Sequence, residues 1–382
     1  MPVVAHEGAN IHYETQGPAG APVLVLANSL GTTTAMWDEQ LTALSQRFLV
    51  VRYDHRGHGR SSATPGPYTI ELLGADCLAV LDDLGAARAS LCGLSIGGAV
   101  ALWVAAHAPD RVERLVLCCT RPAFPPPEQW ADRAALVRAQ GTAPLLDVLM
   151  GRWFSPSFED TDGAMRRRVD GMLRTVDPEA YAGCCEALGA MDQTAVLAAV
   201  VAPTLVVGGA HDPVSPPADA AALATGIAGS ALVVLSGAAH LANIEQPARF
   251  TEAVLSHLAD PPAIRGDRVR RSVLGDEHVD RAAAGATEFT AGFQDLVERT
   301  AWGEIWTRPG LDPATRSCIT LSMLVALGHF DELEFHIRGA RRNGLTGAQI
   351  AEVLLQTAIY CGFPAANRAF AVARRALHER DD

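Results

Sequence analysis

Gly93-Leu94-Ser95-Ile96-Gly97-Gly98 follows a short strand-like run, Ala89-Ser90-Leu91-Cys92, and opens a helical stretch over residues 99–108. A serine between glycines at a strand-to-helix turn is placed to act as a nucleophile. The glycines let neighbouring backbone approach closely, and the helix N-terminus points its dipole at a developing oxyanion. A serine at its free pKa is a poor nucleophile, so a base is required. Two downstream positions have the right types. Asp212, in Gly208-Gly209-Ala210-His211-Asp212-Pro213, sits at the end of the apolar run Thr204-Leu205-Val206-Val207. His240, in Gly237-Ala238-Ala239-His240, follows the run Leu232-Val233-Val234-Leu235. His240 is the candidate base, and Asp212 would fix its tautomer. An oxyanion hole needs two backbone N–H groups. Ile96 follows the nucleophile, and Leu30 lies in the loop Asn28-Ser29-Leu30-Gly31 after the run Val23-Leu24-Val25-Leu26.

These residues must be held by a sheet. Phe48-Leu49-Val50-Val51 and Leu115-Val116-Leu117 add to the wholly apolar runs, with helical spacing between them. That alternation predicts an α/β domain with a mainly parallel sheet over residues 1–258. Strand-like runs vanish between Pro122 and Val200, where Trp130, Leu136, Leu145, Leu149 and Trp153 sit among helix formers. This predicts a helical lid at about 122–200. Two prolines, a glycine and several charges over residues 259–270 read as a linker. Beyond it, residues 282–300, 313–327, 330–343, 346–361 and 365–380 have helical periodicity. Asp312-Pro313 reads as an N-cap and first turn, Asn343-Gly344 as a stop, and Thr346 as a cap three residues before Gln349. Residues 271–382 are therefore expected to form an all-α bundle.

Composition narrows the chemistry. The chain has 382 residues, 49% hydrophobic and 19% charged, which fits two globular domains able to bury cores. The net charge of −12 argues against a nucleic-acid partner. All 31 basic residues are arginine. The absence of lysine excludes pyridoxal-phosphate, Schiff-base and Walker A chemistry. Eight cysteines include no C-x-x-C pair and read as reduced, mostly buried thiols of a cytoplasmic protein. The N-terminus lacks a signal peptide's basic and apolar regions, and no apolar run approaches the ~18 residues of a membrane span.

Residues 1–258 resemble the α/β-hydrolase fold, in the order serine, acid, histidine. Asp54-His55-Arg56-Gly57-His58-Gly59-Arg60-Ser61 is similar to a structural turn of these enzymes, which leaves His55 and His58 without a catalytic role. Asn28-Ser29-Leu30-Gly31-Thr32 with Met36-Trp37-Asp38, the Tyr53–Gly59 stretch, and Cys92–Gly98 together resemble 3-oxoadipate enol-lactonases. Trp130-Ala131-Asp132-Arg133 is similar to the W-x-x-R of that family's lid. The resemblance implies that Trp130 and Arg133 bind substrate, Arg133 by pairing with its carboxylate. A surface arginine beside a packing tryptophan is the alternative.

Trp302-Gly303-Glu304-Ile305-Trp306, Arg316-Ser317, Glu332-Leu333-Glu334-Phe335-His336 and Tyr360-Cys361-Gly362-Phe363-Pro364 carry a second resemblance, to the carboxymuconolactone decarboxylase family. Cys318 and Cys361 are single, which disfavours the thiol-peroxidase branch, and the Glu332/His336 pair is too small a donor set for a metal. In 4-carboxymuconolactone the departing carboxylate is conjugated through a C=C bond to the lactone carbonyl. The substrate is its own electron sink, so no cofactor is required. His336 is the candidate proton donor, Arg316 an anion clamp and Glu304 an aid to proton transfer. The two resemblances together imply a bifunctional enzyme of the protocatechuate branch of the 3-oxoadipate pathway, acting on small lactones and assembling as a homo-oligomer through the helical domain. Two alternatives stay open: a hydrolase for another acyl or carbon–carbon substrate, and a helical domain that serves only for oligomerisation.

Overall fold

A computed structural model describes residues 2–124, 126–259, 262–308 and 310–378. The chain divides into two compact units, Met1–Leu258 and Ala259–Asp382.

In the first unit the apolar runs become buried strands. Among the described residues they are β1 (Val3–His6), β2 (Ala9–Gln16), β3 (Val23–Ala27), β4 (Leu49–Tyr53), β5 (Ala89–Leu94), β6 (Val112–Cys118), β7 (Thr204–Gly209) and β8 (Ala231–Leu235). They form one sheet in the order β1-β2-β4-β3-β5-β6-β7-β8. β3 to β8 run parallel, while β1 and β2 attach antiparallel at one edge. Every residue of β5 and of β7 is buried, as expected of strands covered on both faces. Helices α1 (Asp38–Leu44), α2 (Ile70–Asp83) and α3 (Ile96–His107) supply crossovers in the first half. α8 (Pro217–Gly226), α9 (Ala242–Glu245) and α10 (Pro247–Leu258) complete the second. β1 and β2 are not continuous apolar runs: β2, Ala-Asn-Ile-His-Tyr-Glu-Thr-Gln, buries only some of its positions beside the edge strand β1.

The insertion between β6 and β7 is helical: α4 (Pro127–Gln140), α5 (Leu146–Trp153), α6 (Ala164–Arg174) and α7 (Pro178–Ala190). Its neck is closed by an antiparallel bridge between Ala123 and Asp192, and by the Gln193 N–H donating to Pro122 O at 2.8 Å. Proline at the first turn starts both α4 and α7, and the Asp177 side chain caps α7 through the Ala180 N–H. α4 packs along α7.

The stretch expected to be a linker is instead mostly helix. In the second unit α11 runs over Pro262–Leu274. Its proline stands at the start, where a missing N–H costs nothing, so the residue that read as a breaker is a helix opener. Gly266 lies so close to the Glu298 carbonyl that an added Cβ would fall 2.0 Å from its oxygen. The expected helix over 282–300 is divided into α12 (Asp276–Ala284), α13 (Glu288–Val297) and a π-helical segment, Glu298–Ile305. Thr287 and Thr290 cap one another and restart the chain as α13. α14 (Pro313–Leu327), α15 (Phe330–Arg342), α16 (Gly347–Cys361) and α17 (Phe363–His378) follow. Asp312 accepts from the Thr315 N–H at 2.9 Å, and Thr346 with Gln349 forms a capping box. Leu321, Val325, Leu333, Ile337, Ile350 and Leu354 lie in one apolar core, and Val273, Val279 and Trp302 in another.

The turn after β4 ties the first unit together. Asp54 accepts from the Thr34 and Arg60 N–H groups at 2.9 and 3.0 Å. Arg56 is buried and forks onto Asp76 at 2.6 and 2.7 Å. Gly57 has φ +70°, its carbonyl accepts from the Asp177 N–H at 2.8 Å, and a Cβ there would fall 1.9 Å from Ala180 Cβ. Gly57 thus seats the lid helix α7 directly. Gly57→Ala should destabilise the first unit by about 2–4 kcal/mol, the sum of left-handed strain and overpacking. Gly20→Ala, also at positive φ (+81°) but in open space, should cost only about 1 kcal/mol. Urea midpoints of the two variants check this; equal losses would mean that α7 does not depend on the turn.

Candidate active sites

Ser95 stands between the end of β5 and the first residue of α3, with φ +59°. Its N–H donates to Cys118 O at 2.9 Å, and its carbonyl accepts from the Thr120 hydroxyl at 2.7 Å. The motif glycines are explained by close approach. A Cβ on Gly93 would fall 2.1 Å from Gly97 O, and one on Gly97 2.2 Å from Ala27 O. The second contact brings the start of α3 against the end of β3, which leads into the Leu30 loop.

Asp212 lies three residues beyond β7, and His240 five beyond β8. His240 Nδ1 is 2.9 Å from Asp212 Oδ2, and both side chains are buried. Asp212 Oδ1 accepts from the Val214 and Ser215 N–H groups at 2.8 and 3.0 Å. A carboxylate held this way can only accept from the imidazole. The proton therefore sits on Nδ1 and Nε2 is left as a base. One residue on this loop gave no signal in the sequence. Glu245 accepts from the Ala239 N–H at 2.8 Å and from the N–H and hydroxyl of Ser155. Leu241 N–H donates to Trp153 O at 2.9 Å. The His240 loop is thereby stitched on both sides to the end of α5, a role visible only once the chain is folded.

The loop carrying Leu30 is equally well held. Ser29 and Gly31 donate their N–H groups to Met36 Sδ and His58 Nε2, both at 3.2 Å. Ile96 is the first residue of α3, so its N–H has no partner within the helix. His58 Nδ1 lies 3.2 Å from Arg56 O, and His55 Nε2 lies 2.9 Å from Asn28 O. Burial, reinforced by His55, pushes the His58 pKa down to about 3. A neutral His58 accepts from Gly31 and donates to Arg56, which makes it a strut of the loop.

Trp130 donates from Nε1 to Phe124 O at 2.8 Å, and the Arg133 guanidinium lies 5.1 Å from the Trp130 ring centre. Both line a cavity of about 260 Å³ with Arg121, Phe124, Gln129, Arg152, Pro213 and Val214. Pro213 and Val214 follow Asp212 directly, so the cavity wall continues from the candidate acid. Arg152 carried no motif and was not among the candidates. Burial, and then the neighbouring Arg133 charge, lower its pKa. The cysteines are unbridged, and burial pushes the Cys77 and Cys185 thiols up to about 12, which suits packing and not nucleophilic chemistry.

In the second unit His336 lies on α15, its ring nearly parallel to Trp302 at 6.4 Å, and Trp302 stacks on Trp306 at 5.0 Å. Phe335 contacts both His336, at 5.5 Å, and His278 of α12, at 4.6 Å. Burial and then His278 push the His336 pKa down to about 4. Arg270, buried on α11, pairs with Glu298 at 3.0 Å and helps to lower the His278 pKa, behind burial. His278 and Arg270 were not singled out in the sequence, since neither belongs to a recognisable spacing. Glu304 is exposed on the π-helical segment. Arg316 donates from Nη2 to Arg308 O at 2.8 Å. Neither touches His336 in any contact among the described residues. No group of three or more metal-ligating side chains is found among the described residues, and no helix there is long and apolar enough to cross a membrane.

Comparison with known proteins covers both units. The alpha/beta hydrolase fold family matches residues 22–247, and the carboxymuconolactone decarboxylase family matches residues 291–375. 3-Oxoadipate enol-lactonase 2 of Acinetobacter baylyi is 39% identical over 244 residues, 64% of this chain and 91% of that protein. 4-Carboxymuconolactone decarboxylase of the same organism is 41% identical over 115 residues, 30% of this chain and 86% of that protein. The crystal structure of the enol-lactonase from Burkholderia xenovorans superposes with a TM-score of 0.66 at 41% identity, covering 68% of this chain and 100% of that one. The chain is thus a fusion, belonging to the α/β-hydrolase fold family through its first unit and to the carboxymuconolactone decarboxylase family through its second.

Proposed function

We propose that the second unit decarboxylates 4-carboxymuconolactone to 3-oxoadipate enol-lactone and that the first hydrolyses this lactone to 3-oxoadipate. The observation that carries the hydrolytic half is the 2.9 Å His240–Asp212 contact on the sheet that presents Ser95 at its elbow. The Acinetobacter relatives of the two units, named for these two activities, support the pairing.

In the hydrolysis, Ser95 Oγ attacks the lactone carbonyl as His240 Nε2 takes its proton, and Asp212 stabilises the imidazolium. The Ile96 and Leu30 N–H groups receive the oxyanion. Collapse breaks the ring C–O bond, and His240 returns its proton to the enol oxygen. Water then cleaves the acyl-enzyme by the same route, and the freed enol becomes the 3-oxo group. Arg133, with Trp130 as its wall, holds the lactone's carboxylate.

In the decarboxylation, the electrons of the breaking C–CO2 bond pass through the C=C to the lactone carbonyl oxygen. A proton is then returned to the ring carbon, and His336 is its donor. Burial and His278 favour the neutral form of His336. A dianionic substrate beside it opposes that shift and recruits the proton. No contact supports a step through Glu304 or Arg316, so none is assigned to them.

Many apolar side chains of the second unit stand in solvent, among them Phe289 (96% exposed), Tyr360 (80%) and Phe363 (71%). They support self-association of the helical unit, because an isolated soluble chain rarely leaves so many large apolar groups exposed. Light scattering should give a multiple of the chain mass, and Tyr360→Glu should reduce it. A monomeric wild-type chain would remove this part of the reading.

The deciding experiment feeds 4-carboxymuconolactone to the full chain and follows carbon dioxide, enol-lactone and 3-oxoadipate. Ser95→Ala should lower lactone opening by at least ~10³-fold while carbon dioxide release continues and enol-lactone accumulates. His336→Asn should lower carbon dioxide release by about 10²–10⁴-fold, the range for a general acid, with added enol-lactone still hydrolysed. Loss of both steps in either folded variant would defeat the assignment of one step to each unit.

A further inference from the structure

Two arginines in the lid cavity are not accounted for by the protein's own charges. Of the three that line it, Arg121 is committed: it pairs with Asp219 at 3.1 Å and donates to Val214 O at 3.1 Å. Arg133 and Arg152 have no carboxylate partner among the described residues, yet both line the cavity and the Arg133 charge acts on Arg152. A guanidinium stays ionised, so bringing two together in a partly desolvated cavity is unfavourable unless an anion joins them. Tyr181 adds a buried hydroxyl beside Arg133, on which the Arg133 charge and hydrogen bonding act.

The position of Arg152 is fixed relative to the catalytic residues. It is the penultimate residue of α5, and the next residue, Trp153, accepts the Leu241 N–H through its carbonyl. Ser155, just beyond, is held by Glu245, which also holds the Ala239 N–H. Residues on both sides of His240 therefore anchor the helix end that delivers Arg152. Pro213 and Val214 also line the cavity, with the Val214 N–H on Asp212.

We propose that Arg152 is a specificity-determining residue that, with Arg133, grips one carboxylate of the substrate and confines the hydrolase to acyl compounds bearing a free carboxylate. This rests on the hydrolytic reading above and goes beyond it by assigning the second arm of the clamp. Two forks on one carboxylate leave each oxygen with a charge-assisted donor and relieve the repulsion between the guanidinium groups.

The test uses the full chain and two chromogenic esters of similar length, mono-4-nitrophenyl glutarate and 4-nitrophenyl butanoate. The wild type should favour the glutarate. In Arg152→Ala the ratio of the two kcat/KM values should fall roughly 10- to 100-fold, and Arg152→Lys should recover part of it. Because the ratio is taken within one sample, loss of folded protein cancels. Arg138→Ala removes a lid arginine that pairs with Glu179 and Glu186, and should leave the ratio as in the wild type. For the wild type alone, pentanoate should compete at least tenfold more strongly than pentanamide, and added salt should narrow the gap. An unchanged ratio in Arg152→Ala, or equal competition by acid and amide, overturns the proposal. Failure of the wild type to cleave either ester would instead overturn the serine-hydrolase reading on which it rests.

Discussion

Ser95 is held in a backbone conformation that a serine does not choose. A non-glycine residue at φ +59° carries strain of about 1–3 kcal/mol, and it persists only where its surroundings over-determine it. Here they do. β5 is buried along its whole length between β3 and β6, Cys118 O takes the Ser95 N–H, and Thr120 takes its carbonyl. The two motif glycines then let α3 start within contact of the β3 end. The proposed nucleophile and oxyanion donors are thus set by one junction in the middle of the sheet. Asp212 and His240 follow β7 and β8, two and three strands away, on loops tied to each other and to the lid.

The parts of this arrangement that were legible are those that the chain writes locally. Buried parallel strands are continuous apolar runs, and a strand followed by Gly-Leu-Ser-Ile-Gly and an alanine-rich helix can be read without knowing the fold. The caps at Asp312 and Thr346 were legible for the same reason. What was not legible depends on non-local partners. β2 is polar enough to pass for loop until its pairing with β4 is known. Pro262 reads as a break or as a helix start depending on what the helix can pack against, and α11 packs on the π-helical segment. The π-helix has no sequence signature, although such segments cluster at functional sites. Glu245, Arg152, Arg270 and His278 are single residues whose significance lies wholly in neighbours far along the chain.

The charge distribution resolves an apparent conflict. A chain of net charge −12 should repel small carboxylates. Screening limits that repulsion to about 8 Å at physiological salt, so what matters near a site is its own lining. The lid cavity of the first unit has a positive lining, Arg133 and Arg152. With no lysine in the chain, the fixed cations are all guanidinium groups, which remain charged when half-buried and offer a planar fork to a carboxylate.

The proposed reaction sequence places a further demand on that recognition. Decarboxylation removes one carboxylate and leaves the other untouched, and lactone opening acts at a carbonyl while the same side-chain carboxylate again takes no part. The spectator carboxylate is therefore the only full negative charge common to the substrates of both steps. A site that bound the departing carboxylate tightly would stabilise the ground state and slow its loss, since rate is gained only from contacts stronger in the transition state. Fixed guanidinium charge is best directed at the spectator, with the reacting end left to neutral donors. The first unit follows that division: neutral backbone N–H groups at Ser95, charged forks in the lid cavity.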